Sequence, residues 1–160
     1  MNGQSTPVWE ILTIKADKVL RQEKIQLDLV LNRQRDIQNR QNKLDSLLIE
    51  YSNRLNTILA RPHNTAETGS YRQFIVQLQS LQERTSRELK QIGDERNSAQ
   101  QKFLVADQEK RKLKRLAQKA LEKANQQRNL RETKDIEAQN LIQFNFCLSY
   151  TSPSPRDVEE

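Results

Sequence analysis

Apolar residues return every seven positions along most of this chain. On the N-terminal side one column reads Ala16, Glu23, Val30, Ile37, Leu44, Tyr51 and Ile58, and a second reads Leu20, Leu27, Gln34, Gln41, Leu48 and Leu55. Residues four apart share a helix face, so the two columns form one stripe. The pattern resumes after a break, with Tyr71, Leu78, Thr85, Ile92, Ala99, Ala106, Leu113 and Ala120 in one column. Ile75, Gln82, Leu89, Arg96, Phe103, Lys110, Ala117 and Ala124 form the other. Both stripes contain polar positions, so the seam is strongest near Leu44 to Leu59 and weaker at Glu23, Gln34 and Gln41.

Between the stripes lies ARPHNTAETG. Pro62 cannot continue a helical ladder and pushes Arg61 out of the helical region. Thr6-Pro7 is a start signal for the first helix. Ser70 with Gln73 matches a capping box for the second. The spacing therefore predicts an all-α fold, a long antiparallel two-helix coiled-coil hairpin over residues 7–144. Its parts are a helix over 7–60, a turn over 61–69 and a helix over 70–144. Gly93 is the one soft spot inside the second helix, as a bend or a tolerated outer residue. Residues 1–6 are expected to be disordered. So is the tail over 145–160, where Ser, Thr, Pro and Asp replace the Gln/Lys/Leu texture at Cys147 and read as foreign to the fold.

Composition changes the picture in one respect. At 34% hydrophobic and 30% charged, the chain is too polar for a compact globule and suits long exposed helices. Two slender helices supply no walls for an enclosed active site. The sequence has no Gly-rich phosphate loop, no metal-ligand spacing and no nucleophile with a base, so an enzyme is not expected, nor a cofactor or metal. His63, the single histidine, lies in the polar turn and reads as a solvated loop residue. Cys147, the single cysteine, reads as a free thiol. No apolar run is long enough to span a membrane and no secretory signal opens the chain, which makes the cytoplasm the default. Trp9 reads either as a partner anchor or as packing against the other helix.

The net charge of +6 is local. Lys110, Arg111, Lys112, Lys114, Arg115, Lys119 and Lys123 stand against Glu122 alone, and the remaining charges cancel. A solvated face, an acidic protein surface and nucleic acid all fit such a belt. No aromatic interrupts it, so stacking on bases has no support.

The layout over residues 8–144, with LLIEYSNRLN before the turn and SYRQFIVQLQSLQER after it, resembles the FliJ-type proteins of bacterial flagellar type III export. In that family a Tyr-containing segment precedes the turn and a Y-x-x-F-I-x-x-L motif follows it. Here these are Tyr51, and Tyr71, Phe74, Ile75 and Leu78. Ser70 stands where Asn is frequent and Leu55 where a second Tyr is often found.

The resemblance implies a coiled-coil stalk that sits in the hexameric export ATPase, contacts the cytoplasmic domain of the membrane export gate and helps recycle export chaperones. It implies a location peripheral to the inner membrane at the export apparatus. Carried over by motif, Phe74, Leu78, Leu81 and Tyr71 would face the gate. Leu12, Ala16 and the overhang of the second helix would enter the ring, with Lys110, Arg111, Lys114 and Arg115 against acidic surfaces there. The alternatives are a stalk of the related injectisome secretion system and a basic coiled-coil nucleic-acid binder.

Overall fold

The computed structural model describes residues 6–151. It holds two helices, α1 (Thr6–Leu59) and α2 (Thr65–Thr151), joined by Ala60 to Asn64. The fold is all-α, an antiparallel two-helix coiled-coil hairpin. The chain divides into two compact units. One is Ile14–Arg111, and the other combines Met1–Thr13 with Lys112–Glu160.

The unit Ile14–Arg111 contains the bend. Its buried residues on α1 are Ala16, Ile37, Leu44 and Ile58. On α2 they are Thr68, Leu78, Thr85, Ile92, Ala99 and Ala106. The apolar ones all fall at seven-residue steps in one column of each helix. The neighbouring columns, such as Leu20, Leu27, Leu48, Leu55, Ile75, Leu89 and Phe103, are half-buried. The antiparallel register is read from the polar pairs that cross the seam. Asp17 meets Lys110, Arg33 meets Glu95, Arg40 meets Glu88, Gln41 meets Ser86, Asp45 meets Gln82 and Arg61 meets Glu67. In each pair the two residue numbers add to 127 or 128.

The middle of this seam is polar. Gln82 Nε2 donates to Asp45 Oδ1 at 2.5 Å, and Gln41 Nε2 donates to Ser86 Oγ at 3.3 Å. Gln41 Oε1 and Arg96 Nε are buried with no partner. A buried acceptor left unpaired costs about 1–3 kcal/mol, so this stretch is weaker than the apolar positions of the seam. Thr85 is 2% exposed but keeps its hydroxyl satisfied by donating to the Leu81 carbonyl at 2.8 Å.

All four helix ends differ from the sequence expectation, those of α1 by one residue each and those of α2 by more. The second helix begins at Thr65, five residues before Ser70, so the turn spans 60–64 instead of 61–69. Asn64 caps it: Oδ1 accepts from the Ala66 amide at 3.1 Å, and the Asn64 carbonyl accepts the first helical bond from Thr68 N at 3.2 Å. Glu67 adds an acidic charge in the first turn, favourable at a helix N-terminus. Gly69 is an ordinary helical residue, and Ser70 Oγ donates back to the Ala66 carbonyl at 3.1 Å instead of capping.

The second difference is the far end. α2 runs on through 145–151, expected to be disordered, because no Gly or Pro intervenes before Pro153. The rest of the expected tail lies outside the described residues. At the other end, Thr6 is already helical, while the remainder of the expected disordered start lies outside them too. Gly93 is helical, and a Cβ added there would meet nothing within 4 Å.

Candidate partner-binding faces

One flank of the unit Ile14–Arg111 is built from the residue that precedes each inner position. On α1 these are Arg33, Arg40, Leu47, Arg54 and Arg61. On α2 they are Glu67, Phe74, Leu81, Glu88 and Glu95. The antiparallel register sets the two rows against each other. Arg33 pairs with Glu95 at 3.7 Å, Arg40 with Glu88 at 3.0 Å, and Arg61 with Glu67 at 3.5 Å. Between these ion pairs the register sets Leu47 opposite Leu81 and Arg54 opposite Phe74. The flank is therefore a charged ladder with an apolar window two rungs wide.

The window has internal structure. The Phe74 ring centroid lies 4.6 Å from that of Tyr51 at 57°, and Tyr71 lies 6.0 Å from Tyr51 at 43°. These tilted contacts suit aromatic quadrupoles. The Arg54 guanidinium sits 5.3 Å from the Tyr51 ring centroid and pairs with Glu50 at 2.5 Å. An open groove of about 470 Å³ runs beside this cluster, lined by Arg54, Arg61, Glu67 and Tyr71 among others. Phe74 is 37% and Leu81 45% exposed.

The sequence expectation grouped Phe74, Leu78, Leu81 and Tyr71 on one face. The structure brings Phe74 and Leu81 to the surface and leaves Tyr71 half-buried. Leu78 is only 4% exposed, because it occupies an inner heptad position. Ala16, expected at a contact, is a seam residue as well. Lys110 is engaged: its Nζ donates to Asp17 Oδ1 at 2.5 Å, while Arg21 meets the other Asp17 oxygen at 2.6 Å. The Lys110 hydrogen bond, aided by the positive charge of Lys110 and Arg21, holds the Asp17 carboxyl below its ordinary value against an opposing effect of burial. Arg111 pairs along its own helix with Asp107 at 2.9 Å. The ladder itself was missed by the sequence reading, although five residues at seven-residue steps in each row spell it out.

The other unit contributes Leu12, 37% exposed, and Lys114 and Arg115, both exposed. Among the described residues neither cation has a carboxylate within 4 Å. Its inner positions are the half-buried Trp9 and Thr13 on α1 and Leu113, Ala117, Ala120 and Ala124 on α2. From residue 125 to 149 every side chain is exposed.

Catalytic or metal-binding geometry does not assemble among the described residues. No group of three His, Cys, Asp or Glu side chains gathers there at metal distance. His63 is exposed, with Nδ1 donating to the Arg61 carbonyl at 2.9 Å. No described helix is long and apolar enough to cross a membrane.

A family model described as the flagellar FliJ protein matches residues 11–141, most of the chain. The chain belongs to the FliJ family. Neither the curated proteins nor the solved structures yield a match. FliJ-family membership makes the chain a component of flagellar protein export, a structural participant that works with other parts of the export apparatus. The apolar window of this FliJ-family hairpin contains Phe74 of the Y-x-x-F-I segment, with Tyr71 half-buried in the inner column beside it.

Proposed function

We propose that this FliJ-family chain is the coiled-coil stalk of the export apparatus, associating with the hexameric export ATPase and linking it to the cytoplasmic domain of the membrane export gate. It also helps return export chaperones to use. It acts by contact and carries no reaction of its own. The observation that supports this best is the break in the Arg–Glu ladder, where Phe74 and Leu81 stand exposed beside Leu47 and Arg54. A helix flank that is charge-paired above and below an apolar window has a defined place for a partner to bury, and aromatic anchors are the residues that dominate such contacts. Phe74, Leu81 and the exposed part of Tyr71 form the gate contact. Leu78 supports them from the seam. Leu12, Lys114 and Arg115 of the other unit contact the ATPase ring. The protein sits at the cytoplasmic side of the inner membrane through these partners.

A pull-down with the cognate ATPase and gate domain tests this. The wild-type chain captures both. Phe74→Ala loses the gate while keeping the ATPase and its far-ultraviolet circular dichroism. Failure of the wild type to capture either partner would refute the stalk assignment. Loss of helicity together with gate binding would show that Phe74 belongs to the fold and not to the contact.

A further inference from the structure

In the unit formed by Met1–Thr13 and Lys112–Glu160, cations and apolar side chains share one flank. At 3.6 residues per turn, Lys112, Arg115, Lys119 and Lys123 fall within an arc of about 80° on α2. All four are exposed, and none has a carboxylate within 4 Å among the described residues. Glu122, the one acid in this run, accepts a hydrogen bond from Gln118 at 3.4 Å. Between that arc and the inner positions Leu113, Ala117 and Ala120 lies Leu116, 37% exposed. On α1 the inner positions are Trp9 and Thr13. Leu12 precedes Thr13 as Leu116 precedes Ala117, so in an antiparallel pair the two leucines border the same flank. Val8, 57% exposed, extends the apolar strip outward on the α1 side.

We infer that this flank binds the surface of an anionic lipid membrane. Val8, Leu12 and Leu116 provide a narrow apolar strip that fits the boundary between headgroups and acyl chains, and Lys112, Lys119 and Lys123 stand beside it at headgroup level. Lysine stems lie along apolar surface while their ammonium groups reach outward, the arrangement an interfacial helix uses. Three of the four cations are lysines. These are hydrated point charges suited to a diffuse anionic plane, whereas carboxylates on a protein are matched better by arginine forks. A nucleic-acid duplex would use the cations and gain nothing from the strip, and the cationic face carries no aromatic for stacking. The inference goes beyond the stalk assignment and needs neither the ATPase nor the gate; Leu12 and Arg115 are shared with the ring contact proposed above, so lipid and ring occupy this flank in alternation.

Trp9 is the only tryptophan in the chain and is half-buried at the edge of this flank, so its emission reports directly on the contact. The full-length chain is mixed with vesicles of phosphatidylcholine alone, or of phosphatidylcholine and phosphatidylglycerol in equal parts. It is assayed by flotation and by Trp9 emission. The chain floats with the anionic vesicles and not the neutral ones, and Trp9 emission moves to shorter wavelength. Lys119→Glu with Lys123→Glu lowers the partition coefficient by about 30-fold or more. Leu116→Gln weakens flotation by about tenfold with its circular dichroism unchanged. Absence of flotation with anionic vesicles overturns the inference. So does flotation that both variants leave untouched, or duplex DNA binding that the charge reversal abolishes while vesicles are ignored.

Discussion

Replacing Leu78 by Ala asks whether the seam or the surface owns this side chain. Leu78 is 4% exposed and sits between the half-buried Ile75 and Gln82 on the inner face of α2. Fully burying a leucine is worth about 1.5–3 kcal/mol, and truncation in a closed core costs about 2–5 kcal/mol once the cavity is counted. A two-helix seam has a single facing helix, so the void opens partly to water and the cost falls in the lower part of that range, about 2–3 kcal/mol. Leu81, three residues on, is 45% exposed, and its truncation costs less than about 1 kcal/mol. Urea unfolding followed by far-ultraviolet circular dichroism reads both, with the slope of stability against urea unchanged. Should Leu81→Ala cost as much as Leu78→Ala, the assignment of inner and outer positions in this hairpin is wrong. Under the proposed stalk assignment gate binding gives the opposite ranking, because Leu81 is exposed and Leu78 lies in the seam.

Further outcomes follow from the same geometry. Gly93→Ala stabilises the chain by about 1 kcal/mol, because helix propensity is gained and the new Cβ meets nothing within 4 Å; thermal unfolding measures it, and a destabilised variant would place a close neighbour there. Gln41→Leu stabilises by about 1–2 kcal/mol by removing a buried acceptor without a partner, and loss of stability would mean that its bond to Ser86 outweighs the orphan oxygen. Asp17 has its pKa depressed in the folded chain, chiefly by the hydrogen bond from Lys110. Its contribution is therefore present above the ordinary value of 3.8 and lost as pH falls through the lowered one. Asp17→Asn flattens the stability profile below about pH 4, and an unchanged acid limb would show that the ion pair does not contribute.

The inner columns were legible because burial in a two-helix seam depends almost entirely on heptad phase. Every column residue from Ala16 to Ile58 and from Tyr71 to Ala124 is buried or half-buried, polar ones included. The start of α2 was not legible from Gly69 and Ser70. One helical glycine costs only about 1 kcal/mol. Against it stand the Asn64 cap, Glu67 near the N-terminus and the burial of Thr68, which together hold the preceding turn in the helix. Leu78 shows two kinds of sequence evidence in competition. The motif grouped it with the contact residues while its column put it inside, and the column prevails because phase fixes direction. The apolar window was not legible for a related reason: the inner columns carry the heptad stripe, while the window lies in the rows beside them.

The constant sum of paired residue numbers has a consequence for how such a chain can change length. Adding seven residues to α1 alone would preserve its own stripe, yet every Arg beyond the addition would slide a full rung past its Glu. Only a matching addition to α2, the same distance from the bend at 60–64, restores the partners. Growth or shortening of this hairpin thus comes in matched pairs of heptads, and a lone insertion in either arm forces a bulge or dissolves the ladder beyond it.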